Sequence, residues 1–184
     1  MEELKSWIDG VCITGGEPTI QKALPDFIQV FKNENLLVKL DTNGNNPEMI
    51  EILLKERLVD AIAMDVKAPL DEVSYSRLTG VAIDLKTIKK SIDLIRKSSV
   101  ETIFRITVVP AMLTEENVYR LAEDLYPIKK LALQQFSPEN TLDPTLKYER
   151  PWPQEKLEQV QRHVDQLLNI KRPKLKDSSD SFFF

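Results

Sequence analysis

Cysteine and histidine are almost absent from this 184-residue sequence, which holds one of each, Cys12 and His163. A structural zinc site takes four Cys or His ligands and an iron–sulfur cluster takes three or four thiolates, so this chain alone supplies neither. Cys12 lies in an apolar run and is expected to be a buried, inert thiol. His163 falls just off the Leu157, Val160, Val164, Leu167 stripe and is expected on a helix surface. Long apolar runs are lacking as well. No stretch approaches the roughly 18 residues of a membrane span, and no basic-then-apolar leader opens the chain, which makes the cytoplasm the expected compartment. Positive charge is not in excess either. The formal net charge is -4 and the lysines are scattered, apart from "IKRPKLK" near the end, which argues against a nucleic-acid surface. Glycine is scarce at five residues, so where it stands carries information.

What is present is the composition of a globular protein, 42% hydrophobic and 29% charged. Apolar, β-branched runs appear at Val11–Thr14, Leu37–Asp41, Ala61–Val66, Thr102–Val109 and Leu131–Phe136, and each precedes a helical stretch. Leu24, Phe27, Ile28 and Phe31 follow helical spacing, and Ile50, Leu53, Leu54 and Leu58 do so behind an Asn46 cap and Pro47. Ile88, Ile92 and Ile95 form a third stripe after Asp84. Val118, Leu121, Ala122 and Leu125 form a fourth behind Thr114, and the Leu157–Leu168 stripe is the fifth. Five β-then-α units in series predict an α/β fold with a parallel sheet, either barrel-like or doubly wound. The stretches Leu70–Gly80 and Ser137–Pro153 are expected to be long connections. One domain is expected over residues 1–170, with 171–184, ending in "DSSDSFFF", as a flexible tail.

In parallel α/β folds ligands meet the carboxyl ends of the strands. The first end carries Gly15, Gly16, Glu17 and Pro18, and the second carries Asp41, Thr42, Asn43 and Gly44. The third carries Asp65 and Lys67, two apart and so on one face of an extended segment, and the fourth strand holds Arg105. Three of the five glycines fall here, where positive φ and close ligand approach are both served. Glu17 is suited to receive an ammonium group while exposed amides meet a carboxylate or hydroxyl. Each element has a plainer counterpart. Gly-Gly-Glu-Pro is also a tight turn, Asp-Thr-Asn-Gly is also a capped turn, and Asp65, Lys67 and Arg105 also read as structural ion pairs. Two further chemistries stay open on these residues, a lyase or aldolase with Lys67 as Schiff-base nucleophile, and a divalent-metal enzyme using Glu17, Asp41 and Asp65.

The motifs "ITGGEPT", "LDTNG", "AMDVKAPL", "RLTGV" and "FRITVVPAM", in this order, resemble the radical S-adenosylmethionine (radical SAM) family, in its branch that activates glycyl-radical enzymes. Within that branch the resemblance is to the activating proteins of anaerobic ribonucleotide reductase and of pyruvate formate-lyase. It covers about residues 10 to 137. It implies a partial (β/α)6 TIM-like barrel, here with the first βα unit missing. It also implies S-adenosylmethionine held by Gly15, Gly16, Glu17 and Pro18 at its amino group. Asp41, Thr42 and Asn43 would lie near its carboxylate, with a monovalent cation as a further ligand. Asp65 and Lys67 would complete that site, and Arg105 would face the cofactor. The family's [4Fe–4S] cluster hangs on a CxxxCxxC motif that this sequence does not contain, so catalytic and metal-ligating residues are expected to be absent from it. The implied partner is a glycyl-radical enzyme, and the alternative is a domain that binds S-adenosylmethionine or a protein partner without turnover. The first strand is expected to leave an edge and an apolar surface uncovered, which invites self-association.

Overall fold

The computed structural model describes residues 8–141 and 143–171. Five strands form one wholly parallel sheet: β1 (Gly10–Ile13), β2 (Leu37–Thr42), β3 (Ala61–Asp65), β4 (Glu101–Val108) and β5 (Leu131–Gln135). They lie in sequential order, β1-β2-β3-β4-β5. A doubly wound sheet reverses direction at a switch point. This one does not, so right-handed crossovers place the connecting helices on one face and the sheet curves as part of a barrel.

Between the strands run α1 (Leu24–Asn33), α2 (Pro47–Lys55), α3 (Glu72–Thr79), α4 (Leu85–Lys97) and α5 (Glu115–Leu125), and α6 (Gln154–Lys171) follows the last strand. Their starts are chemically specified. Asn46 accepts from the Met49 N–H, Asp84 from the Lys86 N–H, and Thr114 forms a reciprocal capping box with Asn117. The core lies between helices and sheet, where Leu40, Ile62, Met64, Phe104 and Ile106 meet Ile28, Ile50, Leu53, Ile88, Ile95 and Leu121. Burial of each such side chain is worth about 1.5–3 kcal/mol. Along β4 the buried Thr102, Phe104, Ile106 and Val108 alternate with the half-open Ile103, Arg105 and Thr107, so the second face of the sheet is the concave, open one.

Three expectations are corrected. Cys12 is exposed, because β1 is an edge strand and in its register with Lys39 the thiol stands on the open face. Phe27 is 53% exposed rather than part of the core, since the outer side of α1 has no neighbour among the described residues. Val30 on the same helix and Ile20 in the preceding turn are exposed too, and among the described residues β1 pairs only with β2. The connection at Leu70–Gly80 contains a helix, α3, capped by Asp71 and closed by Gly80 at φ 71°. His163 is exposed and packs at a tilt against Tyr119, with ring centroids 4.4 Å apart. From residue 172 onward the expected tail lies outside the described residues.

Candidate functional site

The loop after β1 is built on two left-handed glycines, Gly15 at φ 93° and Gly16 at φ 56°. A methyl group on either would meet no atom within 4 Å, so both present bare backbone to open space. Pro18 is buried at the start of a 3-10 turn, Pro18–Ile20, and Glu17 caps that turn. The Glu17 carboxylate then ties this loop to the next. Its Oε1 accepts from the Thr19 N–H at 3.2 Å, the Thr19 hydroxyl at 2.6 Å and the Thr42 hydroxyl at 2.7 Å. Its Oε2 accepts from the Asn43 N–H at 2.7 Å. A carboxylate oxygen has two lone pairs, so Oε2 keeps acceptor capacity for one more donor.

Thr42, buried beneath, spends both functions of its hydroxyl inside the protein, donating to Glu17 and accepting from the Gly44 N–H at 3.1 Å. Asn43 accepts from the Asn45 N–H at 2.9 Å, closing a local turn. Asn46, besides capping α2, donates to the Thr19 carbonyl at 2.7 Å. The third glycine departs from the expectation of an open approach. At Gly44 (φ 77°) an added Cβ would lie 2.1 Å from Met64 Cε, and its carbonyl accepts from the Ser91 hydroxyl at 2.6 Å. Gly44 is therefore a packing residue that faces inward.

A row of charges crosses the open face. Lys39 Nζ lies 2.7 Å from Asp41 Oδ1, and Arg105 Nη1 lies 2.9 Å from Asp41 Oδ2. Arg105 Nε lies 2.8 Å from Asp65 Oδ1, and Lys67 Nζ lies 3.6 Å from Asp65 Oδ2. The sheet explains the span. Asp41 and Ile103 flank Ala63 in register, and the small Ala63 side chain lets Arg105 reach from β4 across β3 to β2. Burial alone would raise the Asp41 carboxyl, but hydrogen bonds and charge from Lys39 and Arg105 outweigh it and hold the group below its usual 3.8. Burial likewise works against the Arg105 charge, and the two aspartates overcome it, raising its pKa.

Lys67 is the least committed member, 40% exposed and with the longest contact in the row. Its backbone N–H donates to the hydroxyl of Tyr75, at 3.3 Å, so α3 supports the turn that carries it. Burial first, then the nearby Asp65 charge, push the Tyr75 phenol up to about 12, so it stays neutral. Lys39, Tyr75 and Thr19 were not singled out by sequence reasoning, and Asn46 was read only as a helix cap. Of the first three, only Thr19, inside "ITGGEPT", carried any signal.

Among the described residues no three His, Cys, Asp or Glu side chains converge on a common point. The divalent-metal reading of Glu17, Asp41 and Asp65 fails for that reason, since Glu17 is held by the hydroxyls and amides of its loops while Arg105 lies between Asp41 and Asp65. What the arrangement offers is two ends of opposite character. Bare glycine backbone and a spare carboxylate oxygen stand at the β1 loop. Three cations facing two aspartates, an excess of one positive charge, stand beside it. That combination suits the zwitterionic end of an amino acid. A separate groove of about 1080 Å³, between α2 and α4, is lined by residues preceding β3 and β4 and lies away from these strand ends.

Comparison with known proteins bears on the family and the fold. The family model described as "Radical SAM superfamily" matches residues 1–125. A protein of Methanocaldococcus jannaschii named as a glycyl-radical enzyme activating enzyme is 38% identical over 152 residues, covering 80% of this chain and 62% of that protein. The chain thus spans less than two thirds of that relative. A crystallised domain of pyruvate-formate lyase-activating enzyme from Bacteroides vulgatus superposes with TM-score 0.64 at 20% identity, covering 88% of this chain and 93% of that domain. Streptococcus suis SuiB bound to S-adenosylmethionine superposes with TM-score 0.69 at 16% identity, over 88% of this chain and 37% of SuiB. These two structures bear on the fold.

Proposed function

This chain belongs to the radical SAM superfamily, and from that premise we propose that its open strand ends hold the methionyl end of S-adenosylmethionine in an activating enzyme for a glycyl-radical protein. The observation that carries the reading is the pairing of an open glycine loop at Gly15 and Gly16 with a cationic row at Lys39, Arg105 and Lys67. Glu17 Oε2 receives the ammonium group, and Pro18, Thr42 and Asn43 hold Glu17 and its loop in place. Lys67 turns from its long contact with Asp65 towards the carboxylate, while Asp41 and Asp65 keep Arg105 aimed at the cofactor. A monovalent cation beside Asp41 and Asp65 would have to share carboxylates already claimed by Lys39, Arg105 and Lys67. In this reading it is a secondary ligand.

When bound, S-adenosylmethionine supplies hydrogen-abstraction chemistry once its sulfonium is reduced. The residues of this chain do not fit the [4Fe–4S] cluster that the family uses for that reduction, because one cysteine and one histidine fall short of three thiolates. The chain's own work is binding and orientation. The glycyl-radical partner is a protein, which accords with the M. jannaschii relative's name. A cytoplasmic setting accords with the reading, and no helix among the described residues is long and apolar enough to cross a membrane. The β1 edge, unpaired among the described residues, and the exposed Ile20, Phe27 and Val30 favour self-association of this chain. Sedimentation showing only monomer at every concentration would remove that part.

Titration calorimetry tests the site. S-adenosylmethionine is expected to bind this chain, and methylthioadenosine, which lacks the amino and carboxyl groups, at least about tenfold more weakly, the equivalent of about 1.4 kcal/mol. Equal affinity for the two would defeat the zwitterion assignment. Lys67→Ala is expected to weaken S-adenosylmethionine while leaving methylthioadenosine unchanged.

A further inference from the structure

The groove between α2 and α4 takes no part in the site described above. We propose that it is a docking site for an acidic segment of a partner protein carrying an apolar anchor side chain. Its rim holds Lys55, Arg57, Lys86, Lys89, Lys90 and Lys97. Against these stand Glu51, Asp60 and Asp93, a local excess of positive charge on a chain of net charge -4.

The acids are already spent. Glu51 pairs with Lys55 at 2.7 Å, Asp93 pairs with Arg96, and Asp60 takes Lys32 at 2.7 Å together with the Val38 N–H at 2.7 Å. Lys90 pairs with Glu48 from outside the groove. Arg57, Lys86, Lys89 and Lys97 are left exposed, with no side-chain hydrogen bond or ion pair among the described residues.

A solvated lysine face would be the plain account, and the groove beneath the lysines counts against it. Lys86, Lys89, Lys90, Asp93, Leu94 and Lys97 fall at helical spacing on one stripe, distinct from the buried Leu85, Ile88, Ile92 and Ile95. Asp93 is taken by Arg96 and Asp84 caps the helix, so Lys86, Lys89 and Lys97 keep no ion-pair partner among the described residues while lining a groove with an apolar floor. Arg57 joins the rim from a left-handed position, φ 55°, that usually falls to glycine or asparagine after a helix.

The groove's chemistry selects the kind of anion. Leu54, Val59, Leu94 and Val100 also line it, giving an apolar floor. That floor seats an apolar side chain, which a phosphate backbone does not offer, so a polypeptide fits better than a nucleic acid. From Lys86 to Lys97 the stripe runs about 17 Å at helical rise, the reach of a short acidic peptide. The groove opens on the helix side of the sheet, so a partner held there leaves the strand ends free.

The test uses the whole chain and a fluorescent peptide of about twelve residues, made of Glu and Asp with two leucines one helical turn apart. Poly-glutamate and a single-stranded oligonucleotide of equal charge serve as comparisons. The peptide is expected to bind with micromolar affinity, and to weaken several-fold or more between low and moderate salt. It should bind at least about fivefold more tightly than poly-glutamate. A Lys86→Glu, Lys89→Glu, Lys97→Glu variant is expected to lose the binding while S-adenosylmethionine affinity and thermal melting stay as in the parent. A Lys22→Glu, Lys147→Glu, Arg162→Glu control, with the same change of charge at exposed positions outside the groove, keeps it. Tighter binding of the oligonucleotide overturns the choice of partner. Equal binding by the parent and the groove variant overturns the site, as does no binding at low salt. Because S-adenosylmethionine affinity is read separately, failure here is distinguishable from failure of the proposed function.

Discussion

Replacing Gly44 by alanine isolates what an inward-facing glycine does in this fold. The residue sits at φ 77°, and placing any side chain in the left-handed region costs about 1–2 kcal/mol. Its new Cβ would also lie 2.1 Å from Cε of the buried Met64. The loop has little room to retreat, because the Gly44 carbonyl accepts from Ser91 and its N–H donates to Thr42. Overpacking of that kind adds about 1–3 kcal/mol. Gly44→Ala is therefore expected to destabilise by about 2–5 kcal/mol in all. Gly15→Ala and Gly16→Ala carry the backbone cost of about 1–2 kcal/mol without the clash, since open space surrounds both. Urea unfolding followed by circular dichroism measures all three, provided the slope m is unchanged. Met64→Val removes the clashing atoms, and in that background the Gly44→Ala penalty should fall by about 1–3 kcal/mol. If Gly44→Ala proves as mild as Gly15→Ala, or its cost is the same in both backgrounds, the close-approach account is wrong.

Thr42→Val removes one hydroxyl that serves both Glu17 and the Gly44 N–H, and a loss of about 2–4 kcal/mol in unfolding free energy is expected. A change below about 0.5 kcal/mol would show that Glu17 is not anchored there. The Asp41 carboxyl is lowered on folding, so its contribution is complete above its ordinary 3.8 and is lost as pH falls through the lower folded value. The stability gap between the parent and Asp41→Asn should be flat near neutrality and shrink below that value, and a gap unchanged well into acid would contradict the pairing. Cys12 is exposed beside Lys39, with Sγ 3.8 Å from Nζ, so an aromatic disulfide reagent should label the native protein without denaturant. Labelling only after unfolding would return the thiol to the core.

The rhythm of β-branched runs and helical stripes was enough to read five strands, because both faces of the alternation are recorded in side-chain type. Boundaries moved by a residue or two at strand ends, as at Glu101–Val108. Cys12 and Phe27 were misplaced for one shared reason: whether an apolar side chain at the border of a sheet is covered depends on its neighbour, not on its own pattern. Helix α3 was hidden because a single residue, Tyr75, buries its side chain there, too little for a stripe.

In the candidate site, Gly15, Gly16, Glu17, Asp41, Asp65 and Lys67 were legible as polar or flexible residues at strand ends, and Arg105 as a charge inside a strand. Lys39 was not, since a strand lysine reads as a solvated one until its register shows it pointing at Asp41. Nor did spelling separate Gly44 from Gly15 and Gly16. That difference exists only once Met64 lies beneath.

The bond from Arg105 to Asp41 joins residues 64 apart in sequence and passes over a strand that lies between them. It cannot form until β2, β3 and β4 are all seated, so it marks the completion of that part of the sheet and not its beginning. A contact made so late stabilises the native state without helping the chain reach it. Loss of Arg105 should accordingly quicken unfolding far more than it slows folding, and stopped-flow measurement of both limbs would reveal the order. The side chain that reaches across three strands on the open face would then be the latch that keeps the finished sheet shut.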